Sequence, residues 1–154
     1  VSACRYPPHG TRSNGPIRHA SYGVPSDYQK IANDEVLVIP MIETKQAIDN
    51  LESILDVPGV DGIYVGPSDL AFSLGLTPKL DHEDPTILKI YERLIAECGK
   101  RGIYAGIHCG SPDYAARMIQ MGFRLTTIAN DAGLMAKASL EAVAGVWKVV
   151  GDKR

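Results

Sequence analysis

From residue 33 onward, apolar positions follow two alternating rhythms. Val36-Leu37-Val38-Ile39 is a short, continuous, β-branched run with the character of a strand buried on both faces, and further strands are read at Ile63-Tyr64-Val65, residues 103–109 and residues 124–129. Between them, apolar residues recur at helical spacing. Residues 44–56 place Ala47, Ile48, Leu51, Ile54 and Leu55 on one stripe. Asp84-Pro85 reads as an N-cap followed by proline at the first helical position. The helix it opens would bury Ile87, Tyr91, Leu94, Ile95 and Cys98 and end near Gly102. Ser111-Pro112-Asp113 starts another helix that Gly122 stops, and residues 131–150 form a last amphipathic helix capped around Asn130-Asp131.

Four β-then-α units in a row predict a parallel sheet with helices outside it. The two architectures with that order are a doubly wound sheet and a (β/α)8 barrel. A complete barrel takes about 250 residues, and this chain has 154. It starts abruptly, and residues 1–32 read as an irregular Pro/Gly-rich loop segment. The expectation is therefore an α/β fold: residues 1–154 are the C-terminal half of one TIM-barrel domain, with the four βα units in 33–154. A half-barrel leaves two open sheet edges and calls for a partner.

Composition narrows the function classes. Hydrophobic content of 45%, charged content of 22% and a net charge of −2 fit one soluble domain without an electrostatic footprint for nucleic acid or membrane. The longest apolar run, residues 36–42, is broken by Pro40 and is too short to span a bilayer, and no signal peptide opens the chain. Cys4, Cys98 and Cys109 fit neither a disulfide framework nor a zinc site, so a reducing cytoplasm is expected.

Candidate chemistry sits at strand ends, where parallel α/β folds bind their ligands. Glu43 closes VLVIPMIE, and Asp69 follows GIYVGPS. On neighbouring strands about 4.8 Å apart, the two carboxylates could converge on one hard cation such as Mg²⁺ or Mn²⁺. The plainer alternative is that Asp69 caps a short turn at 70–74. After Gly66-Pro67, the N–H groups of Ser68 and Asp69 can face an anion. A cation beside an anion site suits a ligand with adjacent oxygens, such as a 2-oxo acid.

Together, RYPPHGTRSNG, IPMIET and GVDGIYVGPSDLAFSLG resemble the HpcH/HpaI aldolase family, metal-dependent class II aldolases of the 4-hydroxy-2-oxoheptanedioate and 2-keto-3-deoxyglucarate type. The likeness runs from about Ala3 to the last helix. It implies a TIM barrel with Glu43 and Asp69 as ligands of a divalent cation (Mg²⁺, Mn²⁺ or Co²⁺), and Ser68 contacting substrate through its backbone. The implied reaction is reversible, metal-dependent aldol cleavage of a 4-hydroxy-2-oxo acid to an aldehyde and pyruvate or a hydroxypyruvate-like donor. The resemblance also implies a homo-oligomer, a hexamer built as a trimer of dimers that exchange the last helix.

Three departures from the family pattern matter. Met41 stands where well-studied members have a substrate-contacting glutamine, and Ser13 where the loop usually has glycine. The family's catalytic histidine and substrate-binding arginine come from early strands with no counterpart here, so no catalytic base is assigned. His108 ends a strand at the same mouth, in a usually apolar position, and reads as pocket lining. Cys109 points to the opposite face, while His9, His19 and His82 read as surface residues. Two alternatives remain: a relative of the citramalyl/malyl-CoA lyases, for which no basic groove is visible, and an inactive half-barrel fragment that needs its N-terminal half.

Overall fold

The computed structural model describes residues 1–15, 21–23 and 27–151. Four strands, β1 (Met41–Ile42), β2 (Gly62–Val65), β3 (Tyr104–Cys109) and β4 (Leu125–Ile128), pair in parallel in the order β1-β2-β3-β4. The α-helices bounded within the described residues are α1 (Tyr28–Glu35), α2 (Lys45–Asp49), α3 (Leu51–Leu55), α4 (Pro67–Ser73), α5 (Pro85–Lys100), α6 (Pro112–Met121) and α7 (Asp131–Val150). The fold is α/β with a parallel four-stranded sheet, as the alternating rhythms predict.

One face of the sheet carries the core. Ile42, Ile63, Val65, Ala105, Ile107 and Cys109 are buried and pack beneath α3, α5 and α6, against Leu51, Leu55, Tyr91, Leu94, Tyr114 and Met118. Period-two alternation sends Met41, Tyr64, Tyr104, His108, Leu125 and Thr127 to the other face, where none is buried. The strands are therefore buried on one face and not both. Below the strand ends, that second face leaves an apolar hollow of about 540 Å³ bordered by Leu37, Ile39, Ile103, Tyr104 and Leu125.

Capping follows the sequence signals. Asp84 accepts a hydrogen bond from Thr86 N at 2.7 Å, Asn130 from Gly133 N at 2.7 Å, and Ser111 from Tyr114 N at 3.3 Å. Gly122 ends α6 with φ +127°, a conformation that favours glycine.

Four expectations need correction. The ladder at β1 involves Met41 and Ile42, not residues 36–39. Pro40 has no N–H to give, and the Val38 N–H is taken by the Asp61 carboxylate at 2.6 Å, so this stretch engages β2 mainly through the carbonyls of Val38 and Pro40. The single helix over 44–56 breaks into α2 and α3 at Asn50 (φ −105°, ψ 18°), whose side-chain amide donates to Gln46 O at 2.8 Å.

Residues 1–32 are not irregular throughout. A 3-10 turn spans Ser2–Cys4, and α1 begins at Tyr28. Ala32 is fully buried, and Asn33 bonds both the N–H and the C=O of Tyr6, tying helix to loop. His82 is buried, not on the surface. Its Nδ1 accepts from Asp84 N at 3.3 Å, so the proton sits on Nε2, which donates to Thr77 O at 3.0 Å. His9 is exposed as expected, and His19 lies outside the described residues.

Serine at position 13 brings no backbone strain. Among described non-glycine residues only Ala129, just past β4, has a positive φ, +55°. No helix among the described residues is long and apolar enough to cross a membrane.

Candidate metal centre

Glu43 follows β1 directly, and Thr44, which caps α2 by accepting from Ala47 N at 3.1 Å, turns the chain away after it. Extending the ladder by one step makes Glu43 level with Gly66 and Gly66 level with His108, which itself pairs with Thr127. The Glu43 side chain lies over Gly66. A Cβ on residue 66 would stand 2.6 Å from Glu43 Oε2 and 3.1 Å from its Cβ. Glycine here opens the space the carboxylate occupies.

Asp69 is the third residue of α4, whose N-cap is Gly66 without a side-chain cap bond. It therefore does not cap the turn. Neither Glu43 nor Asp69 has a hydrogen-bond or ion-pair partner among the described residues, whereas Glu52, Glu83, Glu97 and Asp61 are all held by arginines.

The structure brings all five sequence-predicted residues to one recess. Glu43, Asp69, Ser68, Met41 and His108 line a hollow of about 240 Å³ at the carboxyl ends of β1, β2 and β3. Met41 is exposed and forms one wall. Cys109, next to His108, is fully buried on the opposite face, and burial pushes its thiol up to about 11. It is no nucleophile for this recess.

Tyr64 and Leu80 also line the recess and were not singled out from sequence. Tyr64 was legible, since it lies two residues before Gly66 and shares its face. Leu80 was not, because it comes from the loop between α4 and α5. That loop is fixed by tertiary bonds: Asp81 accepts from Gly110 N and Ser111 Oγ, both at 2.6 Å, and Tyr114 Oη donates to His82 O at 2.5 Å.

The donor set suits one kind of cation. The described residues hold no group of three or more His, Cys, Asp or Glu side chains positioned around a metal. Two unpartnered carboxylates are hard oxygen ligands, few enough to leave most of an octahedron to water and a chelating ligand, as Mg²⁺ and Mn²⁺ prefer. The residues present fit a divalent metal.

The sequence pattern of the HpcH/HpaI aldolase/citrate lyase family matches residues 1–138. A hydroxypyruvate/pyruvate aldolase of Rhizorhabdus wittichii is 36% identical over 145 residues, covering 94% of this chain and 57% of the relative. A 2-keto-3-deoxy-L-rhamnonate aldolase of Escherichia coli K12 is 36% identical over 140 residues, covering 90% of this chain and 52% of the relative. The chain thus spans just over half the length of these curated relatives. A crystal structure of an HpcH/HpaI aldolase from Desulfitobacterium hafniense shares the fold with TM-score 0.81 at 24% identity, over 100% of this chain and 60% of that one. A family protein from Burkholderia cenocepacia gives TM-score 0.77 at 34% identity, over 93% and 57%.

Proposed function

Because the chain belongs to the HpcH/HpaI aldolase/citrate lyase family, we propose that its protein is a carbon–carbon lyase dependent on a divalent metal. It cleaves a 4-hydroxy-2-oxo acid reversibly to an aldehyde and pyruvate, or a hydroxypyruvate-like donor. The observation that carries this reading is the pair Glu43 and Asp69, two carboxylates on one recess without partners among the described residues. They would hold Mg²⁺, Mn²⁺ or Co²⁺. A cation bound there would supply Lewis-acid polarisation of a 2-oxo acid.

This chain's own residues bind and orient. The N–H groups of Ser68 and Asp69, in the first turn of α4, have no intrahelical acceptor and are available to a ligand carboxylate. Met41 gives an apolar wall where an amide would add a hydrogen bond. A recess of about 240 Å³ is smaller than the usual range for drug-sized ligands and suits a small acid. No lysine or arginine lines it, which favours a short 2-oxo acid over a CoA thioester.

The four βα units supply the second half of a (β/α)8 barrel in this reading. The sequential strand order and the open apolar hollow support it, because barrel interiors are packed layers of side chains. A homo-oligomer, a trimer of dimers, is proposed as well. No residue of α7 is buried, although Leu134, Met135, Leu140, Val143 and Val146 lie along it. The cytoplasm is the proposed location.

Exchange of deuterium into the methyl group of pyruvate, followed by NMR, tests the activity without an aldehyde. Exchange that needs Mg²⁺ or Mn²⁺, stops with EDTA and disappears in Glu43→Gln supports the reading. Exchange indifferent to EDTA contradicts it.

A further inference from the structure

A polar cluster on three adjacent strands stands beside the candidate metal centre. Tyr64 of β2, His108 of β3 and Thr127 of β4 project from the same sheet face. Thr127 Oγ1 lies 2.7 Å from His108 Nδ1, the Tyr64 hydroxyl is hydrogen-bonded to Thr127 Oγ1, and it also lies 3.2 Å from Nδ1. His108 and Thr127 are register partners. Tyr64 is level with Gly106 and reaches across β3 because residue 106 has no side chain: a Cβ there would be 3.0 Å from Tyr64 Cδ2.

The three contacts allow two directions of donation, and acidity favours one. A neutral imidazole nitrogen makes one in-plane bond, as donor or as acceptor. The phenol is the more acidic hydroxyl, which favours the chain in which Tyr64 donates to Thr127 and Thr127 donates to Nδ1 over its reverse. In that direction Nδ1 accepts and the ring proton sits on Nε2. No described residue takes a hydrogen bond from Nε2, and the ring lines the recess with Glu43 and Asp69.

We infer that Tyr64 and Thr127 are positioning residues that hold His108 as its Nε2–H tautomer, and that this N–H donates to an oxygen on C3 of the bound 2-oxo acid. The inference rests on the function proposed above. It makes His108 a specificity-determining residue that favours a 3-hydroxy-2-oxo acid of the hydroxypyruvate type over pyruvate, which has no oxygen at that carbon. In so small a recess, C3 is the carbon next to the 2-oxo-carboxylate and the first place where an additional oxygen can be read.

Two measurements on the full chain test it. With ¹⁵N-labelled histidine and the His108 signal identified by its loss in His108→Leu, the spectrum should show a proton on Nε2 and an accepting Nδ1. The Nδ1 signal should move in Thr127→Val and return in Thr127→Ser. A proton on Nδ1, or a spectrum unchanged in Thr127→Val, overturns the inference.

Calorimetric titration of hydroxypyruvate and pyruvate in the presence of Mg²⁺ is the second measurement. The ratio of the two affinities should fall about tenfold in His108→Leu and Thr127→Val, the worth of one hydrogen bond, and survive in Thr127→Ser. Both acids weakening equally, or a ratio that does not change, overturns the inference while the proposed function stands. Wild-type protein that binds neither acid overturns the proposed function and the assigned ligand with it.

Discussion

The Glu43 carboxylate lies over the backbone of Gly66, where any side chain on residue 66 would stand, 2.6 Å from Oε2. The backbone at Gly66 is ordinary, with φ −97° and ψ 90°. Alanine is therefore conformationally allowed and collides only with the site. Gly66→Ala should leave unfolding free energy unchanged or raise it by about 0.5 kcal/mol, because it lowers the entropy of the unfolded chain. Cation affinity should fall about 10- to 100-fold, as when a group that orients a metal ligand is lost. Denaturant unfolding and Mn²⁺ titration of the same variant check both halves.

Ala129 should yield to glycine. Its φ of +55° costs an alanine about 1–2 kcal/mol, and glycine's extra unfolded-state freedom offsets about 0.5–1 kcal/mol of the relief. Ala129→Gly is expected to stabilise the protein by about 0.5–1 kcal/mol, read as a higher urea midpoint at unchanged m-value. The Ala129 N–H, bonded to Cys109 O at 2.8 Å, is kept. A lower midpoint would show that the left-handed backbone is not strained.

Acid should destabilise the face around α5 and α6. Arg117 holds the Glu83 carboxyl below the usual carboxylate range through bonds of 2.7 and 2.9 Å, and the Thr86 N–H does the same for Asp84. Lys100 and then Arg101 hold Glu97 down. A carboxyl whose folded pKa is depressed contributes stability above its unfolded pKa and loses it as pH falls through the folded value. Stability should therefore decline below about pH 4. Asp84→Asn keeps a capping oxygen but no charge, and should make that decline shallower. A decline of unchanged steepness in Asp84→Asn would remove this cap from the explanation.

Helix ends were the most legible features of this chain, because Asp84, Ser111, Gly122 and Asn130 act locally and their side chains or φ angles are sufficient. Strand identity was legible at β2 to β4. It shifted at β1 because Asp61, 23 residues after Val38, takes that residue's N–H, a contact no local pattern announces. His82 looked like part of a solvated DHED stretch, yet two backbone bonds and the Tyr114 hydroxyl above it bury it. The carboxylate pair was visible because both members stand at strand ends in a strict β-α order. The Tyr64–Thr127–His108 cluster was not, since it depends on the register of three strands and on the missing side chain of Gly106.

Mn²⁺ binding, followed by electron paramagnetic resonance of the free ion, tests the central claim most directly. Wild-type protein should bind one Mn²⁺, and Glu43→Gln and Asp69→Asn should each weaken binding by about 100-fold or more while unfolding free energy stays within about 0.5 kcal/mol of wild type. Equal Mn²⁺ affinity in wild type and both variants, or no binding by folded wild-type protein, would contradict the assignment of Glu43 and Asp69 as the metal centre.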